Sequence, residues 1–248
     1  MIYQKNSDEI EKMRRGGQIA AHVLNLLAIT VKPGITTGDL DILARAELKK
    51  ARAKASFFHY QGYPASICTS VNSEVVHGIP GGRILREGDI IGIDLGVQYE
   101  GFHTDTALTL GVGKINFQKK ELIDIAKKSL DEGLSIIKPG LHLGDIQHRI
   151  QTIVEGAGFS VIRDLSGHGI GQELQEYPPI LNYGKAGTGL ILKEGYTLAI
   201  EPMISDGDWH VKILKDDWTV VTADGSLSAH FEHTVVVTKS GYDILTTE

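Results

Sequence analysis

From Ser7 to Thr30 the apolar residues Ile10, Met13, Ile19, Val23, Leu26 and Leu27 recur near helical spacing and stop before Lys32-Pro33-Gly34. That pattern predicts a first helix with Ser7 as its cap. Thr37 caps a second through Leu40, Leu43 and Leu48, with Lys and Arg gathered toward its C-terminal end, where the helix dipole favours them. The period then changes. Between Asp89 and Gly113, Ile91, Ile93, Leu95 and Val97 alternate with other residues, and Ala107-Leu108-Thr109-Leu110 follows a Gly-containing turn, which predicts a β-hairpin. Helical spacing returns from Glu121 to Ile137, halts at Lys138-Pro139-Gly140 and resumes from about Asp145 to Ala157.

The order of elements repeats, and the letters repeat with it. Lys32 to Leu40 reads KPGITTGDL and Lys138 to Ile146 reads KPGLHLGDI. Arg86 to Asp94 parallels Lys193 to Glu201, with a carboxylate closing each segment. A looser match pairs Thr104-Asp105-Thr106-Ala107 with Phe231-Glu232-His233-Thr234. One catalytic domain over 1–248 is therefore expected, built from halves at about 7–113 and 116–245 and related by a pseudo-twofold axis. Equivalent strands would bring Asp94, Asp105, Glu201 and Glu232 to one shared cleft.

Composition narrows the function. The 248 residues are 42% hydrophobic and 23% charged, the balance of a soluble globular protein with a sizeable core. A net charge of -6 without a basic cluster argues against nucleic-acid binding. Cys68 is the only cysteine, so no intrachain disulfide forms. Met1 to Asp8 lacks the order of a signal peptide, and the apolar stretch Ile19 to Val31 is too short to span a bilayer. A cytoplasmic protein with no membrane contact is expected.

Asp94 lies in Ile-Gly-Ile-Asp-Leu-Gly and Glu201 in Leu-Ala-Ile-Glu-Pro-Met, contexts where a buried carboxylate needs a partner or a metal. Four converging carboxylates would repel, whereas divalent ions would hold them ionised. Two divalent ions are the economical answer. An oxygen-rich site with an imidazole suits Mn, Fe(II), Co or Zn. His77 and His168 each sit in a His-Gly-Ile frame, where glycine lets a ligand approach the backbone. The other histidines are read as surface or supporting groups. A thiol nucleophile at Cys68 is the weaker reading of a small buried residue. The chain has no nucleophile elbow, P-loop or His-Glu-x-x-His motif.

The strings HGIP, IGIDLG, HTDTALTLGVG, GHGIG, AIEPM and FEHTVVVT, in this order over nearly the whole chain, resemble the bacterial type I methionine aminopeptidases. The resemblance implies a duplicated α/β (α+β) pita-bread fold and removal of initiator methionine before a small second residue. It implies Asp94, Asp105, His168, Glu201 and Glu232 as ligands of two metal ions, with Asp105 and Glu232 bridging, Asp94 completing one ion, and His168 with Glu201 the other. A hydroxide shared by the ions would attack the scissile carbonyl. Glu201 would accept its proton, and His77 would position or protonate the departing amide. The methionine pocket would draw on Tyr60, Tyr63, Cys68, Leu174 and Trp218.

At Gln175 the family carries a second active-site histidine, and Leu174 stands for an expected aromatic. Substrates would be nascent polypeptides, the resemblance extending to transient contact with the ribosome and to a monomer. Two alternatives share the residues: an X-Pro aminopeptidase of the same fold, and a weakly active or non-catalytic homologue favoured by Gln175.

Overall fold

A computed structural model of the chain describes residues 2–248. In α1 (Ser7–Thr30) the cap is Asn6 rather than Ser7: its side chain accepts from the amides of Asp8 and Glu9, and Glu9 accepts from the Asn6 amide. The same shift recurs at α2 (Thr37–Lys50), where Thr36, not Thr37, exchanges capping bonds with Asp39. Asn116 starts α3 (Phe117–Ser135) ahead of the predicted Glu121 by accepting from the Lys119 amide. Asp145, predicted to open α4 (Leu143–Gly156), instead lies in its first turn and accepts from the amide of His142. Among the described residues, no helix is long and apolar enough to cross a membrane.

The first half continues with β1 (Lys54–Ala55), β2 (Cys68–Val71), β3 (Glu74–Val76), β4 (Ile90–Tyr99) and β5 (Phe102–Gly111). The predicted hairpin is β4–β5, turning at Glu100-Gly101 with φ of 47 and 86, as a two-residue loop matching the strand twist requires. In the second half α4 is followed by β6 (Ser160–Val161), β7 (Ser166–Gly169), β8 (Glu176–Leu181), β9 (Thr197–Ile200), β10 (Met203–Ser205), β11 (Val211–Ile213), β12 (Val220–Thr222), β13 (Ser228–His230), β14 (Glu232–Val237) and β15 (Tyr242–Ile244). The main antiparallel sheet has the order β1-β4-β5-β14-β9-β7-β8, with β2 also on β4 and β15 on β14. Small sheets β13-β10-β6 and β11-β12-β3 flank it.

The repeat is visible bond by bond. The amides of Gly34 and Gly140 reach the carbonyls of Leu85 and Leu192, and those of Thr37 and Leu143 reach Arg83 and Leu190. Gly88 and Gly195 donate to Val112 and Val237, which in turn donate to Asp89 and Tyr196. Counting inward, Gly92 matches Ala199 and Asp94 matches Glu201. On the partner strands Ala107 matches Glu232, and these two residues face each other where β5 meets β14. The local axis therefore passes through that pair, and the mate of Asp105 is His230 rather than Glu232. Side-chain bonds repeat the relation: Thr234 Oγ1 accepts from the Asp105 amide and donates to its carbonyl, as Thr109 Oγ1 does with His230. The looser letter match was thus displaced from the structural equivalence.

Strand alternation decides what each face carries. Ile91, Ile93, Leu95 and Val97 of β4 are fully buried in one cluster with Leu27, Leu40, Ala44 and Leu48 of α1 and α2. Leu198, Ile200, Val235 and Val237 share another cluster with Leu122, Leu130, Ile146 and Ile150 of α3 and α4. Each such aliphatic side chain contributes about 1.5–3 kcal/mol by burial. The opposite positions face away from the helices into the hollow of a curled sheet. This is the duplicated α/β pita-bread arrangement that the resemblance implied.

Candidate metal centre and substrate cleft

Register alone places the chemistry. Cys68 lies opposite Asp94, Asp94 opposite Ala107, and Ala107 opposite Glu232. These four residues form one row across β2, β4, β5 and β14, and Glu201, the residue after β9, extends it. The neighbouring row runs from Gly96 opposite Asp105, through Thr234 opposite Ala199, to His168 opposite that same Ala199. Asp94 therefore sits inside β4 rather than closing it. Ala107 and Ala199 keep the floor open between the acids. His168 has no counterpart in the first half: Ser70, opposite Gly92, occupies its place.

All twelve residues singled out in the sequence line one cavity of about 180 Å³: Tyr60, Tyr63, Cys68, His77, Asp94, Asp105, His168, Leu174, Gln175, Glu201, Trp218 and Glu232. Phe57 and Gln61 line it as well, and sequence reasoning missed both. His230, set aside among supporting histidines, is 3% exposed with Nε2 3.4 Å from Glu201 Oε2. Its sequence signal was faint: it lies two residues before Glu232, with the break between β13 and β14 in between.

Electrostatics make the acids unusual. Burial, more than their mutual repulsion, lifts Asp94 and Glu201 to about 7 and raises Asp105 and Glu232 well above the usual carboxylate range. Asp94 Oδ1 and Glu232 Oε1 are buried without a hydrogen-bond partner. His168 Nδ1 lies 2.9 Å from the Gly169 carbonyl, which can only accept, so Nδ1 carries a proton and the neutral tautomer leaves Nε2 bare. That bare nitrogen faces Glu201 Oε1 at 3.7 Å. Two electron-rich atoms facing each other are stable with a cation between them. Donor atoms of Asp105, His168 and Glu232 all lie within 4.8 Å of one another. This donor set fits divalent metal.

The remaining wall is apolar. Tyr63 meets Trp218 edge-on at 5.1 Å and Phe57 at 6.5 Å, and Trp218 meets His77 edge-on at 6.3 Å. The Tyr63 hydroxyl lies 3.0 Å from the carbonyls of both Ile67 and Gly78, tying the segment behind His77 to the start of β2. His77 holds φ at 59, a left-handed conformation costly for a side-chain-bearing residue. The next residue must be glycine, because a Cβ on Gly78 would lie 2.1 Å from the Thr69 carbonyl oxygen. Burial keeps His77 neutral by lowering its pKa to about 4. It also pushes the Cys68 thiol well up, which opposes a thiolate nucleophile.

Leu174 and Gln175 lie on the loop between β7 and β8. Lys5, 3% exposed, pins that loop through Glu176 at 2.5 Å, and the His103 amide bonds Gly171 at its start. Lys5→Met strands a mostly buried carboxylate, a loss worth about 3–5 kcal/mol when such a pair is broken. We expect Tm to fall by roughly 6–20 °C, at about 2–4 °C per kcal/mol in a chain of this size. KM should rise as the loop loosens, and Lys5→Met with Glu176→Leu should recover most of the Tm. An unchanged Tm on thermal scanning of Lys5→Met would remove the anchoring role.

A carboxylate floor fitted for cations, at the seam of a duplicated sheet, defines a metal-dependent hydrolase. The description of metallopeptidase family M24 matches residues 11–239, and the chain belongs to that family. It is 49% identical over 246 residues to methionine aminopeptidase 1 of Bacillus subtilis, covering 99% of both chains. The crystal structure of a methionine aminopeptidase from Thermotoga maritima superposes with a TM-score of 0.99 at 47% identity, covering 100% of each chain. Within M24 the chain accordingly falls among the methionine aminopeptidases. A prolidase from Pyrococcus furiosus, at 22% identity and TM-score 0.78 over 99% of this chain and 65% of its own, shares the fold alone. Membership of a metallopeptidase family carries divalent metal use with it.

Proposed function

We propose that the protein removes N-terminal methionine from nascent proteins and peptides, preferring a small second residue. The observation that carries this reading is the direct contact of an apolar, sulfur- and aromatic-lined slot with a buried acidic floor. A methionine side chain suits the slot, and the free, uncharged α-amine of a chain terminus would be a ligand for an ion held by the acids, which would restrict cleavage to the first residue. Asp94, Asp105, His168, Glu201 and Glu232 would hold two divalent ions of the Mn, Fe(II), Co or Zn kind. Bound there, such ions supply a water of lowered pKa and a Lewis acid for the scissile carbonyl.

The chain's own groups do the rest. Glu201, mostly buried beside His168 on the acidic floor, would take the proton of the attacking water. His77, neutral at that pH, positions the amide by hydrogen bonding rather than as a full proton donor. Tyr60, Tyr63, Cys68, Leu174 and Trp218 would enclose the methionine side chain. The setting in the cell is a cytoplasmic monomer in passing contact with the ribosome.

Metal-stripped protein resupplied separately with manganese, cobalt, iron(II) or zinc should release free methionine from Met-Ala-Ser and leave a chain-matched X-Pro peptide intact. Cleavage of only the X-Pro peptide would overturn the assignment, and failure to bind divalent ions would restore the non-catalytic reading.

Gln175 lies exposed on the cavity wall. Its amide donates a neutral hydrogen bond but cannot become a cation. A histidine there should stabilise the transition state by ~1–3 kcal/mol more, so Gln175→His is expected to raise kcat about 5- to 150-fold with KM little changed. Steady-state kinetics showing no gain would detach Gln175 from the rate.

A further inference from the structure

His230 is a buried imidazole that the reaction scheme leaves idle. Its Nε2 is sealed from solvent, lacks a hydrogen-bond partner, and lies 3.4 Å from Glu201 Oε2. Glu201 is thus flanked by two imidazoles, with Oε1 facing His168 Nε2 at 3.7 Å. The two nitrogens are not alike: His168 carries its proton on the far nitrogen, against Gly169. His230 is also the symmetry mate of Asp105, held by Thr109 through the same pair of backbone bonds that Thr234 makes to Asp105. The fold has placed a polar residue at the same point of both halves, a carboxylate in one and an imidazole in the other. Near Asp94, Asp105 adds a second acid; near Glu201, His230 offers a proton donor instead.

We propose that His230 is a positioning residue of the metal centre, donating its Nε2–H to Glu201 Oε2 so that Oε1 is presented to the cation beside His168. A donor on one oxygen of a carboxylate ligand fixes which oxygen faces the ion, and groups that orient a ligand in this way are worth about 10- to 100-fold in metal affinity or activity. The inference rests on the metal-centre reading given above.

The test compares His230→Leu, which removes the donor, with His230→Gln, which keeps one. Chelator-treated proteins are titrated calorimetrically with Mn²⁺, assayed for kcat and KM on Met-Ala-Ser, and melted in chelator to score the fold. We expect His230→Leu to bind Mn²⁺ about 10- to 100-fold more weakly and to lose kcat more than KM, with His230→Gln within a few-fold of the parent in both. If His230→Leu does not fold, His230→Met replaces it as the variant without a donor. Parent-like Mn²⁺ affinity and kcat in the apolar variant overturns the inference, as does a His230→Gln protein equally impaired. A parent protein that binds no Mn²⁺ overturns the metal-centre reading itself, a result the variants cannot produce.

Discussion

Asp105→Asn is expected to lower kcat/KM for Met-Ala-Ser by about three orders of magnitude, the size of an interaction worth ~4 kcal/mol in the transition state. Asp105 stands in the middle of the floor, within 4.8 Å of donor atoms on both His168 and Glu232. Asparagine keeps its shape and backbone bonds but brings no charge to a shared cation. The same change should leave the metal-free protein as stable as the parent or more so, because burial and the neighbouring Asp94 both disfavour the charged carboxylate. Calorimetric titration should show weakened ion binding, and melting in chelator should show no loss of fold. Full turnover with ions bound would take Asp105 out of the centre.

The second large effect is a dependence of stability on metal and pH together. Folded-state values of about 7 for Asp94 and Glu201 lie above those of free carboxylates. A raised value means that the folded metal-free protein holds protons the unfolded chain has released. The stability these groups contribute is fully present below about pH 4 and is lost as pH rises through about 7. Divalent ions favour the ionised acids and oppose that loss. The rise in Tm on adding Mn²⁺ should therefore be small at pH 5 and about 10 °C or more at pH 8, since several kcal/mol are involved at about 2–4 °C per kcal/mol. A metal-induced shift independent of pH would show that the acids are ionised in the metal-free protein.

How much of this was legible before folding depended on whether a signal was local. Asp94 and Glu201 stood out because a charge interrupts an otherwise apolar strand in both repeat copies. Alternation correctly put Ile91, Ile93, Leu95 and Val97 on one face, which leaves Asp94 on the other. Helix starts failed by small margins at Ser7 and Thr37 because the preceding Asn6 and Thr36 also carry capping oxygens. Phe57 and Gln61 were invisible, since they reach the cavity through an irregular segment with no period to read. His230 was hidden for another reason: its relation to Asp105 is one of register, and register is a property of pairs of strands. Letter matching aligned acid with acid, whereas the hydrogen bonds align Glu232 with Ala107.

That misalignment has a meaning for the substrate. A symmetric backbone offers a peptide two equivalent ways to lie, and a cleft with true twofold character could not distinguish head from tail. Here the side chains break the tie: His168 is answered by Ser70, Glu232 by Ala107, and Asp105 by His230. One end of the floor is richer in donors, the other is closed by the aromatic slot, and the cleft acquires a front and a back. Directionality, the reading of a polypeptide from one terminus only, is thus written in three departures from the repeat, on a frame that has none of its own.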